Sequence, residues 1–301
     1  MKLTKNASVF YQGKVIKECK SKKFKEYVLE DLNTGTRAVI VPERGGILSS
    51  FSLNSKEFIY FDEENFYGDE RPRCGMPILF PCCGRTEEEK YTVSGKEYPM
   101  PIHGIAHTSA WSVKEFKSEE KTSITIELAS NEESKKYYPF DFKVTYTYEL
   151  QGNKLTLNQI YKNEGQVPMP FGFGFHPYFN ISGLENVELQ VNAKGALNFM
   201  TGAVEPFENP VKMPIMPESH GLFMGAEKKI ISRDKVLGNQ IQVEFDEHYE
   251  IMMLWSLKEK NFLCIEPWND MPNALNTGAK NLLNPGEELK SIMSITIGIE
   301  N

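Results

Sequence analysis

Residues 142–161, FKVTYTYELQGNKLTLNQIY, decide the fold class of this 301-residue chain. Apolar or aromatic residues stand at every even position from Phe142 to Leu150, and polar or charged residues stand between them. A period of two is typical of a half-buried β-strand. Residues 151–154 (QGNK) then supply turn-forming side chains before the alternation resumes. The stretch therefore predicts two antiparallel strands joined as a hairpin.

The same kind of pattern recurs along most of the chain. Helical windows with apolar residues at i, i+3, i+4 and i+7 are almost absent, and the best candidate is a single turn at residues 62–66. Strand-like patterning without helices favours an all-β fold, a large antiparallel β-sandwich or barrel, over a parallel βαβ architecture. The further strand candidates are YVLEDLNTGTRAVIV (27–41), TSITIELAS (122–130), VELQVNA (187–193), QIQVEF (240–245), EIMMLWSL (250–257), FLCIEP (262–267) and MSITIGIE (293–300).

The length of the chain allows either two domains or one large sandwich. Because no linker, repeat or low-complexity tract divides the sequence, we predict one domain over residues 1–301. Residues 200–235 have the least regular pattern, and we expect them to run over the surface.

The charge balance argues against a nucleic-acid partner. The chain has 34 basic and 41 acidic residues, a formal charge of -7, and lacks the clustered lysines and arginines that bind phosphate backbones. No apolar stretch approaches the roughly 20 residues that span a bilayer, and the N-terminal residues lack the apolar core of a signal peptide. We therefore expect a cytoplasmic monomer or homodimer with no membrane partner.

The cysteines predict reduced thiols rather than a disulfide framework. Their number is odd and no C-x-x-C pair occurs, so small buried side chains are the simplest interpretation. They are Cys19, Cys74, Cys82, Cys83 and Cys264.

Two segments interrupt the strand pattern. GMPILFPCCGR (75–85) is a proline-rich apolar run that ends in an arginine, and FGFGFHPYFN (171–180) packs aromatic residues, glycines and a histidine together. Local departures from otherwise consistent patterning are typical of functional sites. A histidine also follows a proline-rich stretch at position 103.

Histidine is a natural acid–base candidate because it changes charge near neutral pH. His103 is followed by Gly104, and His176 lies between Phe175 and Pro177. Either residue alone could be an ordinary core or surface histidine. Two histidines in apolar, backbone-restricted surroundings favour a functional interpretation of both.

Glu266 is the third candidate. It lies between Ile265 and Pro267 at the end of an apolar strand, where desolvation raises a carboxyl pKa and makes the group a usable base. Trp268, two residues on, projects from the same side if the strand continues. Its aromatic face could pack against a sugar ring. The alternative is a strand-end glutamate in a salt bridge.

Other chemistries fit the sequence less well. His103 and His107 have H-x-x-x-H spacing, but Gly104 and the neighbouring prolines argue against the helix that would bring the two rings together, and a metal site with His176 stays an alternative. A phosphate-binding loop of the G-x-G-x-x-G type is excluded at residues 172–177, because Pro177 stands where the pattern needs its third glycine. No G-x-S-x-G element is present in the sequence, which argues against a serine hydrolase.

Four segments together carry a resemblance to a known family. They are PILFPCCGR (77–85), MPIHGIAHTSAW (100–111), FGFHPYFN (173–180) and CIEPW (264–268). In this order, across roughly residues 40–300, they resemble the aldose 1-epimerase (galactose mutarotase) family, especially its LacX-like branch. The resemblance implies the large antiparallel supersandwich fold. It also implies interconversion of the α and β anomers of free aldoses without a cofactor or metal.

The resemblance implies roles residue by residue. Glu266 resembles the family's general base and His176 its general acid. His103 resembles the histidine that binds the sugar near its ring oxygen and C1 hydroxyl, and Arg85 resembles an arginine that hydrogen-bonds sugar hydroxyls. With Trp268, these residues define the expected sugar groove.

Two departures from the family pattern affect the expected substrate. His107 stands where the H-G-F-A-R segment of the family has arginine, and we count it among the sugar-binding candidates. Residues 222–227 contain no aspartate, so the aspartate role of the LacX-like branch is unassigned. A neutral histidine is a poor phosphate ligand, so we expect neutral aldoses to be preferred over their 6-phosphates. The arginines that could still bind a phosphate are Arg44, Arg71, Arg73 and Arg85.

Three alternatives remain at this stage. They are a non-catalytic carbohydrate-binding or regulatory protein on the same fold, a hexose-6-phosphate 1-epimerase, and a metal-dependent sugar enzyme. The joint presence of Glu266, His103 and His176 argues for a catalyst, since a binding module needs no acid–base set. A glycoside hydrolase is less expected because such enzymes usually need two opposed carboxylates, and the motifs contain one.

Overall fold

The computed structural model describes residues 8–198, 204–206, 211–212 and 220–300. Nearly all regular structure in them is β-strand. The N-terminal strands are β1 (Ser8–Tyr11), β2 (Lys14–Lys20), β3 (Lys25–Asp31), β4 (Thr36–Val41), β5 (Ile47–Leu53), β6 (Lys56–Glu57), β7 (Ile78–Leu79), β8 (Lys90–Val93) and β9 (Lys96–Pro99). The central strands are β10 (Ser112–Ser118), β11 (Thr122–Ala129), β12 (Phe142–Gln151), β13 (Lys154–Asn163), β14 (Met169–Phe171), β15 (Gly174–Phe175), β16 (Tyr178–Asn180), β17 (Val187–Val191) and β18 (Ala193–Asn198). The C-terminal strands are β19 (Val204–Glu205), β20 (Val211–Lys212), β21 (His220–Met224), β22 (Lys229–Asp234), β23 (Asn239–Phe245), β24 (Ile251–Trp255), β25 (Phe262–Trp268), β26 (Asn281–Leu283) and β27 (Glu288–Ile299).

Helices are short and few in the described residues. The α-helices are α1 (Glu63–Tyr67) and α2 (Ala274–Thr277), and the 3-10 turns are Pro42–Arg44, Glu87–Glu89, Ala106–Thr108, Ser134–Lys136 and Leu184–Asn186. The predicted turn at residues 62–66 is confirmed as α1. Its N-cap is Asp62, whose side chain accepts a hydrogen bond from the Asn65 backbone at 3.1 Å.

The strands form three large sheets and two small ribbons. The six-stranded sheet has the order β1-β2-β3-β4-β5-β6, and the nine-stranded sheet has the order β10-β11-β12-β13-β27-β23-β22-β17-β20. The eight-stranded sheet joins β19-β18-β21-β24-β25-β15-β7, with β16 also paired to β25, and the ribbons are β8-β9 and β14-β26. Neighbouring strands within these sheets are antiparallel, which confirms the predicted all-β antiparallel architecture.

The hairpin predicted at residues 142–161 is confirmed. Strands β12 and β13 pair without interruption from Phe142 opposite Asn163 to Gln151 opposite Lys154. Every even position of β12 is buried and every odd position is less buried, as the alternating sequence requires.

The nine-stranded and eight-stranded sheets pack face to face over the main core. Tyr146 of β12 contacts Phe175 of β15 with ring centroids 5.7 Å apart, and Tyr161 of β13 stacks on Phe173 at 4.5 Å. These rings belong to one continuous cluster of buried side chains that also takes in the six-stranded sheet. The predicted sandwich is therefore confirmed.

Strand β25 is buried on both faces. Leu263 and Ile265 point into the main core, whereas Cys264, Glu266 and Trp268 are buried on the opposite face. Since successive side chains of a strand alternate, one strand supplies both core residues and a row of side chains outside the core.

The expectation that residues 200–235 only cross the surface is wrong for the part that the structure describes. Strand β21 pairs with β18 and β24, and β22 pairs with β17 and β23. The hydrophobicity pattern did not predict β22, because Ser232 and Asp234 occupy buried positions where an apolar residue is usual. Asp234 accepts hydrogen bonds from the hydroxyl and backbone of Ser182. Residues 199–203, 207–210 and 213–219 lie outside the described residues.

Four of the five cysteines are buried, as expected for small apolar side chains, while Cys19 is exposed. Within the described ranges, no helix is long and apolar enough to cross a membrane.

Candidate active site

A groove of about 430 Å³ opens on the outer face of the eight-stranded sheet. Strand β25 contributes Glu266 and Trp268 to it, and Met253 of the neighbouring β24 lies directly opposite Glu266 in register. The lining residues are Arg71, Gly84, Arg85, Ile102, His103, His176, Tyr178, Met253, Trp255, Glu266, Trp268 and Pro272. The groove therefore brings together five of the six residues expected to form the site.

Glu266 is held by its neighbour two residues along the strand. The indole Nε1 of Trp268 donates a hydrogen bond to Oε2 of Glu266 at 3.1 Å, and Oε1 lies 3.4 Å from Nε2 of His176. The residue is 1% exposed, and this burial raises the pKa of Glu266 well above its usual range. The Trp268 hydrogen bond and the charge of Arg71 act in the opposite direction. The arrangement is that of a desolvated carboxyl group able to accept a proton.

His176 lies in the short connection between β15 and β16. Its backbone N–H donates to Pro77 O at 3.0 Å, and its ring stacks on Tyr178 with centroids 4.7 Å apart. The edge of the ring contacts Trp255 at 5.7 Å. Burial, assisted by the positive charge of Arg71, lowers the pKa of His176 to about 3. The ring is therefore neutral at neutral pH unless it receives a proton inside the groove.

His103 is fixed by a reciprocal pair of hydrogen bonds. Its backbone N–H donates to Gly84 O at 2.8 Å, and the Gly84 N–H donates to Nδ1 of His103 at 3.1 Å. Because Nδ1 accepts a hydrogen bond, the ring proton of neutral His103 is assigned to Nε2. Burial lowers the pKa of His103 well below its usual value. His103 can thus act as a neutral hydrogen-bond donor.

The backbone around His103 is unusual, which explains the glycine that follows it. His103 itself has a left-handed φ of 67° and Gly104 has a φ of 78°. A Cβ at Gly104 would lie 2.2 Å from Phe80 O. The H-G pair therefore lets the chain pass directly against the segment that contains Phe80.

The structure adds Arg71 to the residues that form the groove. Sequence reasoning named it only as one of four arginines that could bind phosphate. Its charge acts on both Glu266 and His176, and burial lowers the pKa of Arg71 itself. It belongs to an irregular segment, so no periodic pattern could locate it.

Among the other lining residues that sequence reasoning missed, the sequence contained a signal for three. Tyr178 follows His176 by two positions in the H-P-Y-F segment. Met253 and Trp255 alternate with core residues on β24, the partner of the strand that carries Glu266. Strand pairing, rather than a motif, would have found these two.

Arg85 and Trp268 occupy different parts of the groove. Arg85 is exposed at the rim and forms an ion pair with Glu89 at 2.6 Å. Trp268 is 4% exposed, and its ring contacts His103 edge-on at 5.7 Å. Trp268 therefore orients Glu266 and also forms part of the lining.

The structure places His107 outside the groove lining. The residue is 4% exposed and lies in the 3-10 turn Ala106–Thr108. Burial lowers the pKa of His107 to about 3. Arg44 is also removed from the groove, since its guanidinium donates to the backbone oxygens of Phe66, Gly68 and Glu70.

The H-x-x-x-H pair does not form a metal site in the part of the chain that the structure describes. The only group of three potential ligands there is His176, Cys264 and Glu266, whose ligand atoms lie within 4.8 Å of one another.

Comparison with solved structures defines the fold family. The chain superimposes on the Slr1438 protein of Synechocystis sp. with a TM-score of 0.88 at 28% identity, covering 93% of this chain and 97% of that one. A galactose mutarotase-like protein of Clostridium acetobutylicum gives a TM-score of 0.82 at 20% identity, with 94% and 98% covered. This large antiparallel sandwich is thus of the galactose mutarotase-like class.

Comparison of sequences identifies the family as well as the fold class. The aldose 1-epimerase family model matches residues 27–296. Protein LacX (plasmid) of Lactococcus lactis subsp. lactis is 24% identical over 283 residues, which cover 83% of this chain and 90% of that protein. The chain belongs to the aldose 1-epimerase family, and its resemblance to the LacX-like branch is confirmed.

Proposed function

We propose that the protein is an aldose 1-epimerase that interconverts the α and β anomers of a hexose by general acid–base catalysis. The observation that carries the proposal is the 3.4 Å separation of Glu266 Oε1 and His176 Nε2 at one groove. A hemiacetal opens when its C1 hydroxyl loses a proton while its ring oxygen gains one. Both oxygens are bonded to C1, so a base and an acid must lie close together.

Glu266 and His176 share one proton through the reaction. Ionised Glu266 takes the proton of the C1 hydroxyl, the bond between C1 and the ring oxygen breaks, and protonated His176 gives its proton to that oxygen. Rotation about C1–C2 turns the aldehyde to its other face. Ring closure then runs the transfers in reverse, from protonated Glu266 to the carbonyl oxygen and from the C5 hydroxyl to His176.

The other groove residues orient this pair. His103 donates from Nε2 to the ring oxygen or C1 hydroxyl, and Trp268 holds Oε2 of Glu266. The charge of Arg71 favours the ionised form of Glu266. Each acid or base contributes on the order of 10²–10⁴-fold to the rate.

The test is saturation-transfer NMR on freshly dissolved α-anomers of a panel of aldoses. Wild-type protein should accelerate exchange, and Glu266→Gln and His176→Asn should each lose most of the acceleration while keeping the fold. Binding of a sugar by wild-type protein without any acceleration would instead identify a non-catalytic carbohydrate-binding protein. Treatment with a chelator should leave the rate no lower.

A second candidate, hexose-6-phosphate 1-epimerase, has a specific observation in its favour. Arg71 lines the groove, Arg85 lies at its rim, and the charges of Arg73 and Arg85 act on Arg71. Guanidinium groups are the preferred partners of phosphate oxygens. His107, which replaces the arginine of the family's H-G-F-A-R segment, supports a neutral aldose instead.

Comparison of kcat/KM for glucose and glucose 6-phosphate distinguishes the two substrates. The variant Arg71→Met removes a groove charge, and Arg44→Met removes a buried arginine outside the groove. A preference for the phosphosugar that Arg71→Met abolishes and Arg44→Met keeps would establish the second candidate.

A further inference from the structure

Cys264 lies beside the proposed acid and base but has no part in the proposed reaction. Strand β25 places Cys264 and Glu266 two residues apart on one face, and Tyr178 of β16 lies opposite Cys264 in register. One ring nitrogen of His176, Sγ of Cys264 and one oxygen of Glu266 all lie within 4.8 Å of one another. Three buried side chains thus bring one nitrogen, one sulfur and one oxygen atom close together.

This donor set suits a particular class of ion. Imidazole and thiolate are ligands of zinc and similar borderline metals, whereas magnesium and calcium prefer oxygen ligands alone. Neighbouring ligands on a tetrahedral zinc ion are about 3.3–3.8 Å apart, given bond lengths near 2.0–2.3 Å. The 3.4 Å between His176 Nε2 and Glu266 Oε1 falls in this range. Because all three atoms lie within 4.8 Å of one another, the sulfur needs to approach by at most about 1.5 Å.

We propose that this groove binds a zinc-like divalent ion through His176, Cys264 and Glu266, and that the bound ion blocks the sugar site reversibly. The metal–sulfur bond forms as the Cys264 thiol releases its proton to solvent. The single proton of the Glu266–His176 pair also leaves to solvent, so that the carboxylate and the neutral imidazole can both bind the ion. Three protein ligands leave the fourth position open toward the groove. The ion uses the lone pairs of the proposed base and acid, so neither group can then exchange a proton with a sugar.

Cobalt binding tests the site without reference to catalysis. Tag-free, metal-free protein is titrated with Co²⁺, and the thiolate-to-cobalt absorption band in the near ultraviolet is recorded. Wild-type protein should bind one ion per chain and show the band, and Cys264→Ala should not. Cys83→Ala is the matched control, because Cys83 is equally buried but belongs to a separate cluster beside Trp268.

Two results of the titration would overturn the proposal. One is a wild-type protein without a saturable thiolate band, and the other is a Cys264→Ala protein with the same band as wild type. Cys264→Ser, which keeps the side-chain size, repeats the comparison should the alanine variant fail to fold.

Inhibition is the consequence that rests on the proposed function. Zinc should slow anomer exchange by wild-type protein and by Cys83→Ala, and a chelator should restore both rates. Cys264→Ala should keep its basal rate and need at least about tenfold more zinc for the same inhibition. Equal zinc sensitivity of wild type and Cys264→Ala would overturn the proposal. A protein inactive on every aldose refutes the epimerase assignment alone, since the cobalt band still reports binding.

Discussion

The indole nitrogen of Trp268 donates to Oε2 of Glu266 at 3.1 Å, and both side chains leave the same face of β25. With Oε2 held in this way, Oε1 is the oxygen that lies near His176. The proposed base is therefore oriented by regular strand geometry together with one hydrogen bond.

Trp268→Phe should lower kcat by about tenfold, because a hydrogen bond to a charged group contributes roughly 1.5–3 kcal/mol. Loss of that bond should also raise the pKa of Glu266 further, because the bond favours the ionised carboxylate. Saturation-transfer NMR over a pH series measures both effects. Trp111→Phe is the matched control: its indole donates to Ala106 O at 3.1 Å in the core, so it should lose stability but keep kcat.

The dependence of kcat on pH should be flat through the neutral range. The mechanism needs one proton on the Glu266–His176 pair. Below about pH 3, where His176 is also protonated, the pair loses its base. Above the raised pKa of Glu266 the pair loses its only proton, so the rate should fall on the alkaline side. The apparent pKa values belong to the pair. A single transition near 6.5, the value of an ordinary histidine, would contradict this mechanism.

Glu266→Gln should stabilise the protein increasingly as pH rises. The folded-state pKa of Glu266 is raised, so below about pH 4.3 the carboxyl is protonated in both folded and unfolded states. As pH increases, the unfolded chain ionises first and the wild-type protein loses stability until the folded-state pKa is passed. Glutamine does not ionise. The Tm difference between variant and wild type should therefore be larger at pH 8 than at pH 4, and a constant difference would exclude this account.

Gly104→Ala should destabilise the fold far more than Gly95→Ala. Both glycines have a positive φ, so each substitution costs about 1 kcal/mol of backbone strain. Only Gly104 adds a clash, with Phe80 O 2.2 Å from the new Cβ, whereas nothing lies within 4 Å at Gly95. Thermal unfolding of the two variants provides the comparison. Equal losses of Tm would show that the contact with Phe80 does not constrain this loop.

Strand patterning predicted β24 and β25, which line the groove, but not the short strands β15 and β16 on either side of His176. It placed Glu266 and Trp268 on one side of one strand, and the structure has them in hydrogen-bond contact. Patterning failed for β22, where Ser232 and Asp234 are buried and Asp234 is stabilised by hydrogen bonds that a hydrophobicity pattern cannot reveal.

Residues on irregular segments were harder to place. Arg71 reaches the groove because of long-range packing, and sequence neighbours carry no record of it. His107 was assigned to the sugar from its place in a motif, but the structure places it in a local 3-10 turn outside the groove lining. The orientation of a side chain in such a segment depends on backbone angles that spacing alone does not determine.

The double burial of β25 has a consequence for engineering new substrate range. Leu263 and Ile265 are core residues, so randomising this strand would unfold much of a library before any sugar was tested. The rim is different: Arg85 and Pro272 line the groove but lie outside the strands. A library confined to these two positions can vary what the groove accepts while the proposed acid–base pair, with Arg71 beside it, and the core stay intact.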